Sequence, residues 1–382
     1  MSTQPCPVSP PHISWTEDGQ HRTALWLGEY AGNPPRRIVV VDDTLTADTA
    51  FQLANQGTHM LWRGDFHNAR QLLDALARRV DKKRRGKASV TPQQAFNQHR
   101  LAQSRRARLL GSLLLPLDAG FRVPLRRAPD IEAVCRSVLG NINEDVLLPL
   151  RVLQGMLGAA EWQRKGVIIP ALEQSIHVHY GVFSPIRGEY IDLVAHAPLP
   201  DTRLAFDIGT GSGVLAAILA HRGVERIIAT DVDERALACA RDNIDRLGLA
   251  ERITLIKADL FPEGRCGLIV CNPPWLPARP TSVIEAAIYD PDNRMLTGFL
   301  NKLGDHLSPG GEGWLILSDL AEHLGLRSPD FLAQTIDSAG LKVLGRLDAR
   351  PKHLKALDPT DPLHEARRAE VTTLWRLSHR DE

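Results

Sequence analysis

Apolar and polar positions follow two periods in the C-terminal half of the chain. Short runs rich in β-branched residues predict strands at 204–207, 226–230, 253–257, 268–271, 313–318, 341–347 and 371–377. Between most of them, apolar positions recur every three or four residues, which predicts helices at 214–221, 234–247, 295–307 and 329–339. This alternation implies a parallel sheet covered by helices on both faces. In such sheets ligands sit beyond the carboxyl ends of the strands, where strand order reverses.

The N-terminal half is less regular. A β-branched run at 37–41, a helical stretch from Ala47, a short strand at 60–62 and a helix carrying Leu72, Leu73, Leu76 and Val80 predict a small α/β unit, with Asp65 as the helix cap. No Gly-rich turn interrupts it. Thr91-Pro92 opens a predicted helix through Leu115, since Pro suits a first helical turn. Further helices are expected at 130–139 and 145–164. Two β-like runs, 167–169 and 176–179, then predict a hairpin. The expected organisation is an irregular or disordered segment (1–35), the α/β unit (36–88), a basic helical region with the hairpin (89–180) and the regular domain (181–382).

A chain of 382 residues predicts more than one domain, and 43% hydrophobic content is ample for a large core. No apolar run reaches the roughly 18 residues of a membrane span, and residues 1–12 lack a charged-then-apolar leader pattern. Five scattered cysteines argue against a disulfide framework or a zinc knuckle and predict a reducing, cytoplasmic setting without metal. The net charge of +1 conceals an asymmetry: residues 1–182 carry +7 and residues 183–382 carry −6. From Lys82 to Arg127 there are twelve basic residues and one acid, Asp118. Within this stretch Lys82, Lys83, Arg84, Arg85, Arg105 and Arg106 are candidate contacts to a polyanion; a solvated linker and helix face is the other reading.

Two motifs carry the chemistry. Asp207-Ile-Gly209-Thr210-Gly211-Ser-Gly213 follows the first predicted strand of the regular domain. Glycines there let backbone approach a ligand that a side chain would block. A dinucleotide fold uses Gly-x-Gly-x-x-Gly; here the spacing is Gly-x-Gly-x-Gly behind a carboxylate, which suits a cationic amino-acid ligand and repels pyrophosphate. Asp231 closes the next strand and can accept from ribose hydroxyls, or cap the following helix. Asp259, after the third, can accept from an adenine amino group, or serve a surface turn. Downstream lies Asn272-Pro273-Pro274-Trp275. A conjugated amine is a poor nucleophile. Two acceptors, the Asn272 side-chain oxygen and the Pro273 carbonyl, could hold its N–H groups and draw it towards tetrahedral geometry. Pro274 stiffens the loop, and Trp275 can stack on a planar group. Together the motifs point to methyl transfer from S-adenosylmethionine.

At these residues the chain resembles the class I S-adenosylmethionine-dependent methyltransferases, most closely the branch with a "methyltransferase small" domain. That branch includes release-factor glutamine methyltransferases and ribosomal-RNA guanine exocyclic-amine methyltransferases. The resemblance covers residues 180–377. It implies a Rossmann-like α/β sheet of seven strands with the last antiparallel. It also implies cofactor contacts from Asp207, the glycine turn, Asp231 and Asp259, and a grip on the accepting nitrogen from Asn272 to Trp275, with Asn272 bordering the cofactor too. Gly181-Val-Phe183-Ser-Pro185 matches the segment leading into the family's domain, whose Phe lies near cofactor and substrate. Residues 284–296, with Tyr289-Asp290-Pro291, resemble the loop after the Asn-Pro-Pro motif in the glutamine enzymes. The aromatic is Trp where Tyr or Phe is usual. The N-terminal half is loosely similar to the cofactor-free half of two-domain guanine methyltransferases.

The expected activity is therefore N-methylation of a planar amine, with RNA or the ribosome as partner. A protein glutamine or a small metabolite is the alternative acceptor. A regulator that binds cofactor without transfer is the reading from another class, and an intact Asn272 tells against it. His177 and His179 share one side of a predicted strand but lack a third metal ligand. Ser184 lacks a nucleophile frame.

Overall fold

Asp18 and Gly19, at φ 50° and 72°, make the two-residue turn that joins β1 (His12–Glu17) to β2 (Gln20–Trp26). Asp-Gly between alternating strands is a strong hairpin signal, so part of the 1–35 segment expected to be irregular is ordered. The computed structural model describes residues 10–28, 34–82, 91–186, 188–200, 203–280, 284–351 and 358–380. The chain divides into two compact units, one of residues 1–88 and 98–160, the other of 89–97 and 161–382.

In the first unit β1 and β2 are followed by β3 (Ile38–Val41), α1 (Ala47–Asn55), β4 (His59–Trp62) and α2 (Phe66–Lys82). Thr46 caps α1 through a 3.2 Å bond from the Thr49 amide, and Asp65 receives the His67 amide at 2.9 Å at the start of α2. Next along the chain come α3 (Pro92–Leu110), whose residues to 97 belong to the second unit, β5 (Leu113–Leu117), α4 (Glu132–Leu139), β6 (Val146–Pro149) and α5 (Leu150–Lys165), whose residues from 161 do so too. The six strands form one mixed sheet in the order β1-β2-β6-β5-β4-β3. Two expectations are corrected here. The helix predicted through Leu115 stops at Leu110, and the helix predicted from 145 begins only at Leu150. The runs Leu-Leu-Leu-Pro-Leu and Val-Leu-Leu-Pro instead pair antiparallel as central strands buried at every position. A short, wholly apolar run has no period to separate a strand from a helix.

In the second unit β7 (Val167–Ile169) and β8 (Gln174–Ile176) form a hairpin, followed by α6 (Glu189–His196). Then come β9 (Leu204–Ile208), α7 (Val214–His221), β10 (Arg226–Asp231), α8 (Glu234–Arg246), β11 (Ile253–Lys257), β12 (Cys266–Cys271), α9 (Arg294–His306) and β13 (Leu307–Ser318). The unit closes with α10 (Leu320–His323), α11 (Phe331–Ser338), β14 (Leu341–Ala349), α12 (His364–Ala369) and β15 (Thr372–His379). Seven strands form one sheet in the order β11-β10-β9-β12-β13-β15-β14. β15 runs opposite to the other six strands. This is the Rossmann-like sheet, with its last strand reversed, that the resemblance implied. Strand side chains alternate between faces. Ala205 joins an apolar cluster with α6 and α7, while Phe206 and Ile208 join another with α9. Strand order reverses between β9 and β12, which fixes where a ligand crevice opens.

Candidate active site

Register brings the two motifs together. Ile208 of β9 pairs with Cys271 of β12 and with Thr230 of β10, and Asp231 pairs with Lys257 of β11. The next residues, Gly209 and Asn272, therefore leave adjacent strand ends on either side of the switch point. The amides of Gly209 and Thr210 both donate to the Thr230 carbonyl, at 2.9 and 2.8 Å, so the turn folds back over β10. Gly209, Gly211 and Gly213 have φ of 73°, 57° and 81°, a region that disfavours any side chain. A Cβ on Gly213 would lie 3.2 Å from Ala240 Cα, and one on Gly209 would lie 2.6 Å from Met295 Cε. A Cβ on Gly211 would meet nothing within 4 Å. Gly213 thus lets α8 approach, Gly209 accommodates Met295, and Gly211 leaves open space for a ligand.

Asp207 is 1% exposed. Its Oδ2 accepts from Thr210 Oγ1 at 2.7 Å and from the Ala216 amide at 3.1 Å, while the buried Oδ1 has no partner. Burial, with the Asp231 charge nearby, pushes this carboxyl up to about 6. An orphaned, buried carboxylate oxygen beside an open glycine turn is what a cationic amino-acid group would satisfy, so these residues fit the cofactor that the resemblance implies. Asp231 is partly buried, and burial raises its carboxyl as well. Its two oxygens accept from the amides of Gly211, at 3.0 Å, and Asp233, at 2.9 Å. Asp259 is exposed, two residues beyond β11, and pairs with Arg294 at 2.7 Å.

On the β12 side, Pro273 is buried and Asn272, Pro274 and Trp275 are partly buried. The Trp275 indole N–H donates to Asn272 Oδ1 at 2.9 Å, and the ring packs against apolar clusters on both faces of the sheet. The 281–283 part of the following loop lies outside the described residues. The rest is stitched back: Leu276 bridges Tyr289, and the Asp290 amide donates to the Leu276 carbonyl at 2.8 Å. Asp290, 4% exposed, then receives the Met295 and Leu296 amides, each at 3.0 Å, and so sets the first turn of α9 over Gly209. Phe96, in the same unit, packs with Leu276 and Tyr289.

Phe183 packs at the margin of the α6–α7 cluster. The segment before it hangs from Asn243, which accepts the His177 amide at 2.7 Å and donates to the Ser212 carbonyl at 3.0 Å. His177 Nδ1 lies 2.6 Å from the Gln163 carbonyl and His179 Nε2 lies 2.8 Å from Asp242; both lie beyond β8 rather than on it. Among the described residues no cluster of three or more His, Cys, Asp or Glu could hold a metal, and no helix is long and apolar enough to cross a membrane. Lys83, Arg84 and Arg85 lie outside the described residues. In the first unit Lys82 is exposed, Arg105 donates to Asn55 at 3.2 Å, and Arg106 pairs with Asp81 at 3.1 Å.

Sequence reasoning did not find Asn243, Met295 or Arg327. Asn243 had a signal, because it interrupts the apolar stripe of α8 between Cys239, Ala240 and Ile244. Arg327 had none. Its side chain is 1% exposed, and Nη2 donates to the Trp275 carbonyl at 3.1 Å and to Asn293 Oδ1 at 2.8 Å.

Residues 195–273 match the family model described as "Ribosomal protein L11 methyltransferase (PrmA)". A tRNA1(Val) (adenine(37)-N6)-methyltransferase from Shewanella loihica is 32% identical over 163 residues, 39% of this chain and 66% of that protein. A release factor glutamine methyltransferase from Cereibacter sphaeroides is 32% identical over 191 residues, 45% of this chain and 66% of that protein. A ribosomal protein uL3 glutamine methyltransferase from Neisseria gonorrhoeae is 42% identical over 98 residues, 25% of this chain and 33% of that protein. The chain thus spans just under two thirds, or less, of the length of these relatives.

Proposed function

We propose, for a chain that belongs to the class I S-adenosylmethionine-dependent methyltransferases, that it methylates a planar amino nitrogen, and that the acceptor is a nucleobase in RNA. The observation that carries this is the pairing of Ile208 with Cys271, which seats the glycine turn and the Asn-Pro-Pro-Trp loop side by side at the switch point. The cofactor, when bound, supplies a methyl group already activated on a sulfonium. The chain's own residues bind and orient. Asp207 would hold the amino-acid ammonium, Asp231 the ribose hydroxyls and Asp259 the adenine amino group. Gly209, Thr210, Gly211 and Gly213 supply the backbone cradle, and Phe183 borders it. Asn272 Oδ1 and the Pro273 carbonyl would accept the two N–H bonds of the amine, bring its lone pair into line and stabilise the positive charge that grows on it. Alignment of this kind can supply much of a rate enhancement.

RNA is favoured by the tRNA adenine methyltransferase among the relatives and by the basic excess of residues 1–182. The second reading, a protein glutamine as acceptor, is favoured by the 42% identity to the uL3 enzyme over 98 residues. A cytoplasmic site beside the translation apparatus goes with either.

Incubating the protein with labelled cofactor and RNA, protein or metabolite fractions from cells lacking the gene should place label in RNA. Label confined to protein would transfer the assignment to glutamine, and cofactor binding without label anywhere would favour the regulator. The basic region makes a separate prediction. If Lys82, Arg105, Arg106 and the 83–85 basic run touch phosphates, log affinity for single-stranded RNA should fall with log salt at a slope of about −0.7 per contact. Filter binding between low and physiological salt would show it; a flat line would reduce this region to a solvated face.

A further inference from the structure

We infer that the Trp275 indole N–H holds the Asn272 amide as a hydrogen-bond acceptor, which makes Trp275 a positioning residue for the amine; its catalytic meaning rests on the methyl-transfer reading above. The indole nitrogen lies 2.9 Å from Asn272 Oδ1. An indole N–H can only donate, so the amide must present its oxygen to it. Unheld, an asparagine amide can turn over and offer its NH₂ instead, and an NH₂ opposes the N–H of an incoming amine. With the indole in place the oxygen keeps a second lone pair, enough to accept from the amine without breaking the first bond.

The bond spans Pro273 and Pro274, whose rings restrict φ and limit the loop's alternatives. Trp275 is itself fastened. Its carbonyl accepts from Arg327, whose buried guanidinium also grips Asn293, and its ring packs against apolar side chains on both faces of the sheet. A ring held in this way is poorly free to slide over a substrate, which favours positioning over stacking. Phe or Tyr at 275 would carry no ring N–H to donate, so this device belongs to this chain's Trp.

The test replaces Trp275 with benzothienylalanine, which keeps the fused ring and removes the N–H, and in parallel with Phe. Both should lower kcat about tenfold, the scale of one buried hydrogen bond, with acceptor KM and cofactor affinity within about twofold of wild type. Unchanged kcat in the benzothienyl protein would overturn the inference, as would a fall in kcat matched by lost cofactor affinity, which marks a merely structural ring. An arm independent of transfer follows the Trp275 indole proton by NMR in the full-length, cofactor-loaded protein. Its resonance should move upfield in Asn272→Ala, and an unmoved resonance would overturn the hydrogen bond itself. If the wild type methylates nothing, the functional reading fails, while the indole proton still decides whether Trp275 holds Asn272.

Discussion

Asn272→Ala should reduce methyl transfer by about 100-fold or more while leaving cofactor affinity within about twofold. The size follows from the position of the residue. It stands at the carboxyl end of β12, one residue past the pair that aligns this strand with β9. Its oxygen would accept an N–H bond that strengthens as the amine becomes cationic in the transition state. Preorganised groups that meet developing charge typically contribute 10²–10³ in rate. The Ala variant removes the acceptor but leaves the Pro273 carbonyl, the two prolines and the buried β12 strand untouched. It also frees the Trp275 indole from its partner, so the loss should exceed that of the Trp275 variants. Single-turnover labelling with saturating cofactor gives the rate, and calorimetry gives the affinity. Equal rates in variant and wild type would show that the nitrogen is gripped elsewhere. A collapse of cofactor binding would instead make Asn272 a cradle residue.

How far the sequence could be read depends on how local each cause is. The glycine turn and the Asn-Pro-Pro-Trp loop are legible because their chemistry resides in consecutive residues. Their meeting at neighbouring strand ends is a matter of register, which neither motif carries and which the β9–β12 pairing supplies. The β5 and β6 strands were read as helix because burial on both faces erases period. The β1–β2 hairpin carried a readable Asp-Gly turn, but its flanking Pro-rich composition weighed towards disorder. Arg327 was beyond reach for another reason. A lone arginine in a polar stretch looks solvated, and only the folded chain shows it buried against a carbonyl 52 residues away. Asp290 was noted as part of a family-like loop, yet its work as the cap that seats Met295 over Gly209 needed coordinates. Close non-local contacts of this kind define the walls of the site, while the motifs define only its floor.

The buried carboxylate of Asp207 yields the second large effect. Cofactor affinity should be level above about pH 6.5 and should weaken towards tenfold per pH unit below 6. In the free protein this carboxyl is raised to about 6 from its ordinary 3.8, chiefly by burial. The fold therefore favours its neutral form. The stability it contributes is complete below the unfolded value and is lost as pH rises through about 6. At pH 7.5 the free protein carries an ionised, half-satisfied carboxylate at a cost on the order of 3 kcal/mol. A cationic ligand at the orphaned Oδ1 would remove that cost, and would bind only after the proton leaves at lower pH. Asp207→Asn separates the two consequences. Its amide oxygen can still accept from Thr210 and Ala216, so the free protein should melt a few degrees higher at pH 7.5 and no higher near pH 4. Its cofactor affinity should nonetheless fall about 100-fold or more, since a neutral amide offers no charge to an ammonium. Melting curves and calorimetric titrations from pH 5 to 8 would check both. An affinity flat across that range, or an Asn variant that binds as tightly as wild type, would mean that the orphaned oxygen faces something other than a cation.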